Sequence, residues 1–403
     1  MRALVVERSV PRFAAARLAS YASSEWGIRL GPLRLVDIDP PSPPGEGWVE
    51  VHPILAGICG SDLSMLEGHT SSYFEPLVSF PFVPGHEVVG HLNDGRRVVL
   101  EPVLSCAARS IFPPCSACKR GDTGNCEYVS TGHLKPGLQT GYCADVGGGW
   151  SATFMAHSSQ LHYVPEHISD EEAVLIEPTA SAIHAVLSSG MKGASTIAVI
   201  GASTLGLCTT AALRDLGYRG LLVVAAKWPI QQELALSLGA DKAVEPRQLK
   251  GVLRFNTGSF LVGSHLSNGA DLIFDCVGSV DTISTSLEIV RPKGRVIMVG
   301  MPGVVHMDLS PLWHKEVRLQ GAYTYGWEQV NGNRVHSFDL ATKLVSTARL
   351  GRLVSARYPL DRHEEALVHA MEAGRRNSIK IVFTPQPKRR SRSSAESSKE
   401  DST

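Results

Sequence analysis

Residues 195–217 read STIAVIGASTLGLCTTAALRDLG. A β-branched run, Thr196–Ile200, enters the turn Gly201-Ala202-Ser203-Thr204-Leu205-Gly206, and a helix-like stretch follows. Strand, tight turn and helix in this order suit a pyrophosphate, because the free amide groups of a helix N-terminus favour an anion and glycine lets the backbone come close. Ser203 stands where the usual G-x-G-x-x-G pattern has its middle glycine, and a small serine fits the same turn. Working outward, GLLVVAAKWPIQQELALSLGAD (220–241), DLIFDCVGS (271–279) and GRVIMVG (294–300) are further short apolar runs, each followed by a helix-like or loop stretch. Strands alternating with helices predict a parallel, doubly wound sheet. The dinucleotide would then lie across Gly201, Ser203, Thr204, Leu205, Gly206, Val277, Gly278, Val299 and Gly300. The second strand normally ends in an acid that binds the adenosine ribose of NAD. Here it ends Ala225-Ala226-Lys227. This predicts a preference for NADP(H), with Lys227 at the 2′-phosphate and Lys242 or Arg247 as further candidates.

The preceding part of the chain has a different texture. Gly, Pro and short runs such as GWVEVHPILAGI and RRVVLEPVL predict a β-rich domain with long loops. After Gly321 the pattern is mixed again, with an amphipathic stretch at 362–373 and a strand-like SIKIVF, and this end is expected to rejoin the first domain. The expected division is 1–188, 189–325 and 326–384, with a tail, 385–403, too poor in apolar residues to fold.

Over 403 residues, 39 basic groups balance 39 acidic ones, so nothing in the composition attracts nucleic acid or an anionic membrane. The longest uncharged run, 193–213, is interrupted by Gly201 and Gly206, so no membrane span is expected. Glu7 and Pro11 break the apolar stretch that a signal peptide needs, which points to the cytoplasm. In that reducing setting, four of the eight cysteines falling between 106 and 126 favour metal ligation over disulfides.

Cys59 in GICGSD, His86 and Glu87 in GHE, and Glu177 in LIEPTA add thiolate, imidazole and carboxylate, the ligand types of a catalytic zinc that keeps one position open. With Cys59-Gly60-Ser61-Asp62, Gly85-His86-Glu87-Val88-Val89-Gly90, Glu177-Pro178 and the nucleotide fold in this order, residues 1–384 resemble the zinc-containing medium-chain alcohol and polyol dehydrogenases. The resemblance implies an α/β protein, a GroES-like β-rich catalytic domain joined to a Rossmann domain, with the active site between them. It also implies that Cys59, His86 and Glu177 hold a catalytic zinc, with Glu87 ligating or adjacent. Ser61 takes the substrate proton and Asp62 orients the histidine. Where polyol-type relatives have a relay histidine, this chain has Ser64, with His69 or His52 as substitutes. His184 is expected either to line the cleft or to pack within a helix.

Cys106, Cys115, Cys118 and Cys126 match the structural zinc lobe of the same family, at about 101–128. Eight residues, AARSIFPP, separate the first two, and this insertion is expected to loop out, since longer loops cost little. Cys208 and Cys276 are expected in the core, and Cys143 fits neither cluster. Tyr73, Phe74, Tyr323 and Trp327 are candidates for the substrate lining. The expectation is an NAD(P)-dependent oxidoreductase acting on a secondary alcohol of polyol, sugar or amino-alcohol type or its ketone, and a homo-oligomer, dimer or tetramer. A zinc-free reductase of activated double bonds and a catalytically silent nucleotide-binding protein that recruits a partner through its tail are the alternatives.

Overall fold

The computed structural model describes residues 1–386, so nearly all of the tail expected to be unfolded lies outside the described residues. Strand Thr196–Ile200 is buried along its whole length, as a continuous apolar run between two helical layers should be. It lies in a six-stranded sheet ordered Lys242–Val244, Leu221–Ala225, Thr196–Ile200, Ala270–Asp275, Val290–Met298 and Arg318–Gly321. Every pairing is parallel. Ile200 stands level with Ala225 and with Asp275, so the turns after these strands emerge along one edge. That edge is where an open parallel sheet binds ligands.

The second sheet runs Val354–Pro359, Lys380–Thr384, Trp48–Gly57, Val88–Leu92, Arg97–Leu100 and Leu161–Tyr163, with Phe154–His157 also paired to Trp48–Gly57. Strand Lys380–Thr384 brings the chain's end back beside the first domain, Val382 facing Gly57. Trp150 fixes this junction: its buried indole donates to Gly57 O at 3.1 Å and meets Phe383 edge-on. Helix Ile176–Ser188 joins the two bodies, sharing one apolar core with Leu55 and Val99 on one side and Ile197 and Leu207 on the other.

The β-rich reading missed two helices, Val10–Ser20 and Ser24–Leu30, inserted between the paired strands Arg2–Val6 and Leu33–Asp37. The first buries only Ala16 and leaves Val10 and Leu18 in solvent, so its sequence has no apolar stripe to betray it. A tight turn at Gly95, with φ +84°, joins the antiparallel strands Val88–Leu92 and Arg97–Leu100. Among the described residues no helix is long and apolar enough to cross a membrane.

Candidate active site

Cys59 follows strand Trp48–Gly57 and caps helix Gly60–Leu66, its N–H donating to Asp62 Oδ2 at 3.0 Å. His86 and Glu87 come from the segment after Gly85, whose φ of +99° and contact with Trp150 admit no side chain. A Cβ at Gly57 would lie 1.9 Å from Glu87 Oε2, so that glycine makes room for the carboxylate. The outcome is one thiol sulfur, one imidazole nitrogen and one carboxylate oxygen within 4.8 Å of one another. Glu177, in the first turn of helix Ile176–Ser188, stands outside this set of three but close to His86 and Glu87.

The surroundings are rich in buried acid. Asp62 is fully buried, and its Oδ1 accepts from the Tyr142 hydroxyl at 3.2 Å and lies 3.5 Å from His86 Nδ1. Burial raises the Asp62 carboxyl, and the nearby His86 pulls it partly back. Burial raises Glu177 to about 7, with His86 opposing and Glu87 adding to the rise. Against Asp62, Glu87 and Glu177 the described residues set one buried ammonium, Lys380, which pairs with Glu87 and donates to Ile58 O at 3.0 Å. His86 Nδ1 and the Tyr325 hydroxyl are buried without a well-formed hydrogen bond. Surplus carboxylate, a thiol and orphaned polar atoms form a donor set that fits a divalent cation.

The four lobe cysteines also lie within 4.8 Å of one another, all unpaired, with Cys106 Sγ 3.6 Å from Cys126 Sγ. Backbone N–H groups of Cys115, Cys118 and Tyr128 point at the sulfurs of Cys106, Cys115 and Cys126 at 3.4–3.5 Å. This set fits a tetrahedral metal. The insertion between Cys106 and Cys115 does not simply loop out. Arg109, within it, is buried and donates to the carbonyls of Leu104, Thr131, Leu134, Lys135 and Gly137. Its tip, with Phe112 at 92% exposure, projects into solvent.

On the nucleotide side, Gly201 has φ +91°, and a Cβ at Gly206 would lie 1.8 Å from Gly201 O. Asp275 Oδ1 accepts from the N–H groups of Val277 and Gly278 at 3.0 Å, bringing that loop against Gly300. Lys227 is exposed at the end of its strand, whereas Lys242 bonds Asn256 and Arg247 pairs with Glu245.

Two family models match: "Alcohol dehydrogenase GroES-like domain" over residues 45–166 and "Zinc-binding dehydrogenase" over 204–337, together more than half of the chain. The chain belongs to the zinc-containing medium-chain alcohol and polyol dehydrogenases. Sorbitol dehydrogenase of Bacillus subtilis is 26% identical over 82% of this chain and 88% of its own length. L-idonate 5-dehydrogenase of Vitis vinifera is 27% identical over 83% and 87%. The solved acetophenone reductase of Geotrichum candidum, in complex with NAD, shares the fold with a TM-score of 0.70 at 19% identity, covering 95% of this chain and 96% of that one. As a member of the zinc-binding dehydrogenases, the chain takes zinc and a nicotinamide dinucleotide as cofactors.

The other singled-out residues of the dehydrogenase each have their own partners. His52 bonds Asn93 Oδ1 at 2.7 Å, in the turn that follows the neighbouring strand Val88–Leu92, and His184 bonds Glu328 Oε1 at 2.6 Å. His69 faces Ser20 and Tyr21 of the inserted helices. Tyr323 lies near Glu177 and near Tyr73, and Phe74 meets Tyr73 edge-on, whereas Trp327 packs on Gly121 of the cysteine lobe. Cys208 and Cys276 are core residues, and Cys143 is buried, its thiol 3.6 Å from Lys135 O. Sequence reasoning passed over Lys380, Tyr142 and Tyr325, since a lysine or tyrosine in a strand or loop carries no mark of burial. It also missed a third group, Glu101, His162 and His336. Glu101 Oε2 lies 2.7 Å from His162 Nε2 and 3.5 Å from His336 Nε2, and Thr123 donates to Oε1. The Phe338 N–H donates to His336 Nδ1 at 3.3 Å. That hydrogen bond places the neutral ring's proton on Nε2, toward Glu101, and leaves no lone pair there for a metal.

Proposed function

We propose that this dehydrogenase oxidises a secondary alcohol of polyol, sugar or amino-alcohol type, or reduces the matching ketone, with NADP(H) preferred. The observation that carries the reading is the meeting of Cys59, His86 and Glu87 in a pocket of surplus buried carboxylate. When bound there, zinc supplies Lewis acidity toward an alcohol oxygen and the nicotinamide takes up the hydride. The chain does the rest. Cys59, His86 and Glu87 hold the metal, and Asp62 keeps the His86 ring turned so that Nε2 is free. Ser61 Oγ, in the first turn of helix Gly60–Leu66 and beside Tyr142, takes the alcohol proton. Glu177 and Tyr325 stand next to each other and are placed to orient the substrate or a water. Tyr323, near Glu177, lines the substrate side together with its neighbour Tyr73. The four lobe cysteines hold a second, structural zinc.

The names of the bacterial and grapevine relatives support a polyol or sugar-acid alcohol as substrate. The absence of an acid after Ala225 supports NADP(H). All eight cysteines are unpaired, which suits the reducing interior of a cell, and assembly into a dimer or tetramer follows the family resemblance. Zinc per chain in wild type and Cys59→Ala tests the core of the reading: two zincs falling to one, with turnover reduced to background, is the expected result. Equal zinc in both proteins, or full turnover in the variant, would sink it.

A further inference from the structure

After strand Arg318–Gly321 the chain runs Ala322-Tyr323-Thr324-Tyr325-Gly326-Trp327 on its way to helix Ser337–Thr347. Thr324 sits at φ +57°. A β-branched residue is sterically disfavoured in that left-handed region and stays there only where its surroundings hold it. No polar partner does so, since Thr324 Oγ1 is buried without a hydrogen bond. What faces it is Gly124 of the cysteine lobe. A Cβ at that glycine would collide with Thr324 Oγ1 and come within 3.1 Å of its Cβ.

Gly124 lies in the turn Thr123–Asn125, directly before Cys126, and Thr123 is itself tied to Glu101. A second glycine of the lobe meets the same segment. Gly121 ends the helix Ser116–Arg120, which carries Cys118, and its carbonyl accepts from the Trp327 N–H at 3.2 Å. A Cβ at Gly121 would lie 2.8 Å from Trp327 Cβ. Arg334 stacks over the Trp327 ring at 4.9 Å and donates to Arg120 O at 3.2 Å. The stretch between Cys118 and Cys126 thus grips this segment at two glycines, where the two backbones come close. The residues on either side of Thr324 face the active site: Tyr323 and the fully buried Tyr325 both lie near Glu177.

We propose that the cysteine lobe positions the substrate wall: Gly124 holds Thr324 in its left-handed bend, and that bend sets Tyr323 and Tyr325 against Glu177. Thr324 is a positioning residue, acting through its two neighbours. This rests on the reading that Tyr323, Tyr325 and Glu177 face the substrate. It gives the second cysteine cluster a task besides stability, because a shift of the stretch between Cys118 and Cys126 is passed to the two tyrosines and is felt as a change in substrate affinity.

The test uses the full-length, zinc-loaded protein, hydrogen exchange of peptides covering 322–330, and kinetics on sorbitol and threonine as polyol and amino-alcohol probes. Gly124→Ala drives a methyl group into Thr324. Exchange over 322–330, the Trp327 amide included, should speed up by about tenfold. The KM for the alcohol probe that wild type oxidises should rise by about tenfold with kcat near wild type, since contacts common to ground and transition state are lost. Cofactor KM and zinc per chain should not move. Adding Thr324→Gly removes the colliding side chain and supplies a residue at ease at positive φ, so it should restore both exchange and KM. Thr324→Ile crowds the same contact from the wall side and serves if Gly124→Ala does not fold. Wild-type KM in the crowded variants, or a raised KM that Thr324→Gly does not rescue, overturns the proposal. If Tyr325→Phe raises the KM while the crowded variants do not, the substrate reading survives without it. If Tyr323→Phe and Tyr325→Phe both leave the KM unchanged, the substrate reading fails and takes the proposal with it.

Discussion

Two clusters in this chain use the same chemistry and come to opposite ends. Cys59, His86 and Glu87 lie together, and so do Glu101, His162 and His336. The second group is closed: Glu101 accepts from Thr123 and from His162, and the backbone of Phe338 settles the proton of His336. It pins the strand after Arg97, the cysteine lobe and the start of helix Ser337–Thr347 to one another. The first group is open, with His86 Nδ1 unsatisfied and more carboxylate around it than Lys380 alone can neutralise. Donor type and proximity are thus shared. What separates a metal site from a structural clamp is whether the protein has already used its own lone pairs and charges.

The strongest way to break this contrast is Lys380→Met. Removing one partner from a buried pair leaves the other uncompensated, a cost of about 3–5 kcal/mol. Zinc-free protein should lose that much in chemical denaturation, and zinc should restore part of it by taking up the Glu87 charge. A change below about 1 kcal/mol in the zinc-free protein would show that Lys380 is not the counter-ion. A smaller effect is expected of Asp62→Asn, which keeps the shape of the side chain and removes its charge from His86. Partners of metal-bound histidines are worth about 10–100-fold in metal affinity, so competition with a chelator should release the catalytic zinc that much more readily while the lobe zinc stays. Unchanged release would mean that Asp62 serves only the Cys59 cap and Tyr142.

How much of this was legible in the sequence follows from where each signal is stored. Thr196–Ile200 and its neighbours were readable because a strand buried on both faces must be apolar throughout. The lobe cysteines were readable because three of them sit close together in the chain. Glu177 and Glu87 were both picked out, but which of them meets Cys59 depends on where helix Ile176–Ser188 begins relative to Gly85, and no local pattern records that. Arg109 illustrates the limit most sharply. A charged residue in an insertion reads as solvated, yet five backbone carbonyls converge on it. The Glu101 clamp was invisible for the same reason, since its three members come from separate parts of the chain and only the fold joins them.

The closed cluster yields the smallest effect and the most specific one. Burial lowers the His336 imidazole from its ordinary value, with Glu101 opposing and His162 adding to the fall. The sign follows directly: the unfolded chain binds this proton at a pH where the folded chain does not, so stability rises with pH through that window and is lost as pH falls below about 6.5. His336→Gln keeps a donor toward Glu101 without a titratable ring. It should cost about 1 kcal/mol at pH 8, leave two zincs per chain, and flatten the dependence of stability on pH below about 6.5. Other half-buried histidines, His157, His363 and His369 among them, are lowered in the same direction, so the slope should shrink rather than vanish. Loss of a zinc in this variant would mean that the cluster is open after all, and that the tautomer drawn from the Phe338 hydrogen bond is the wrong one.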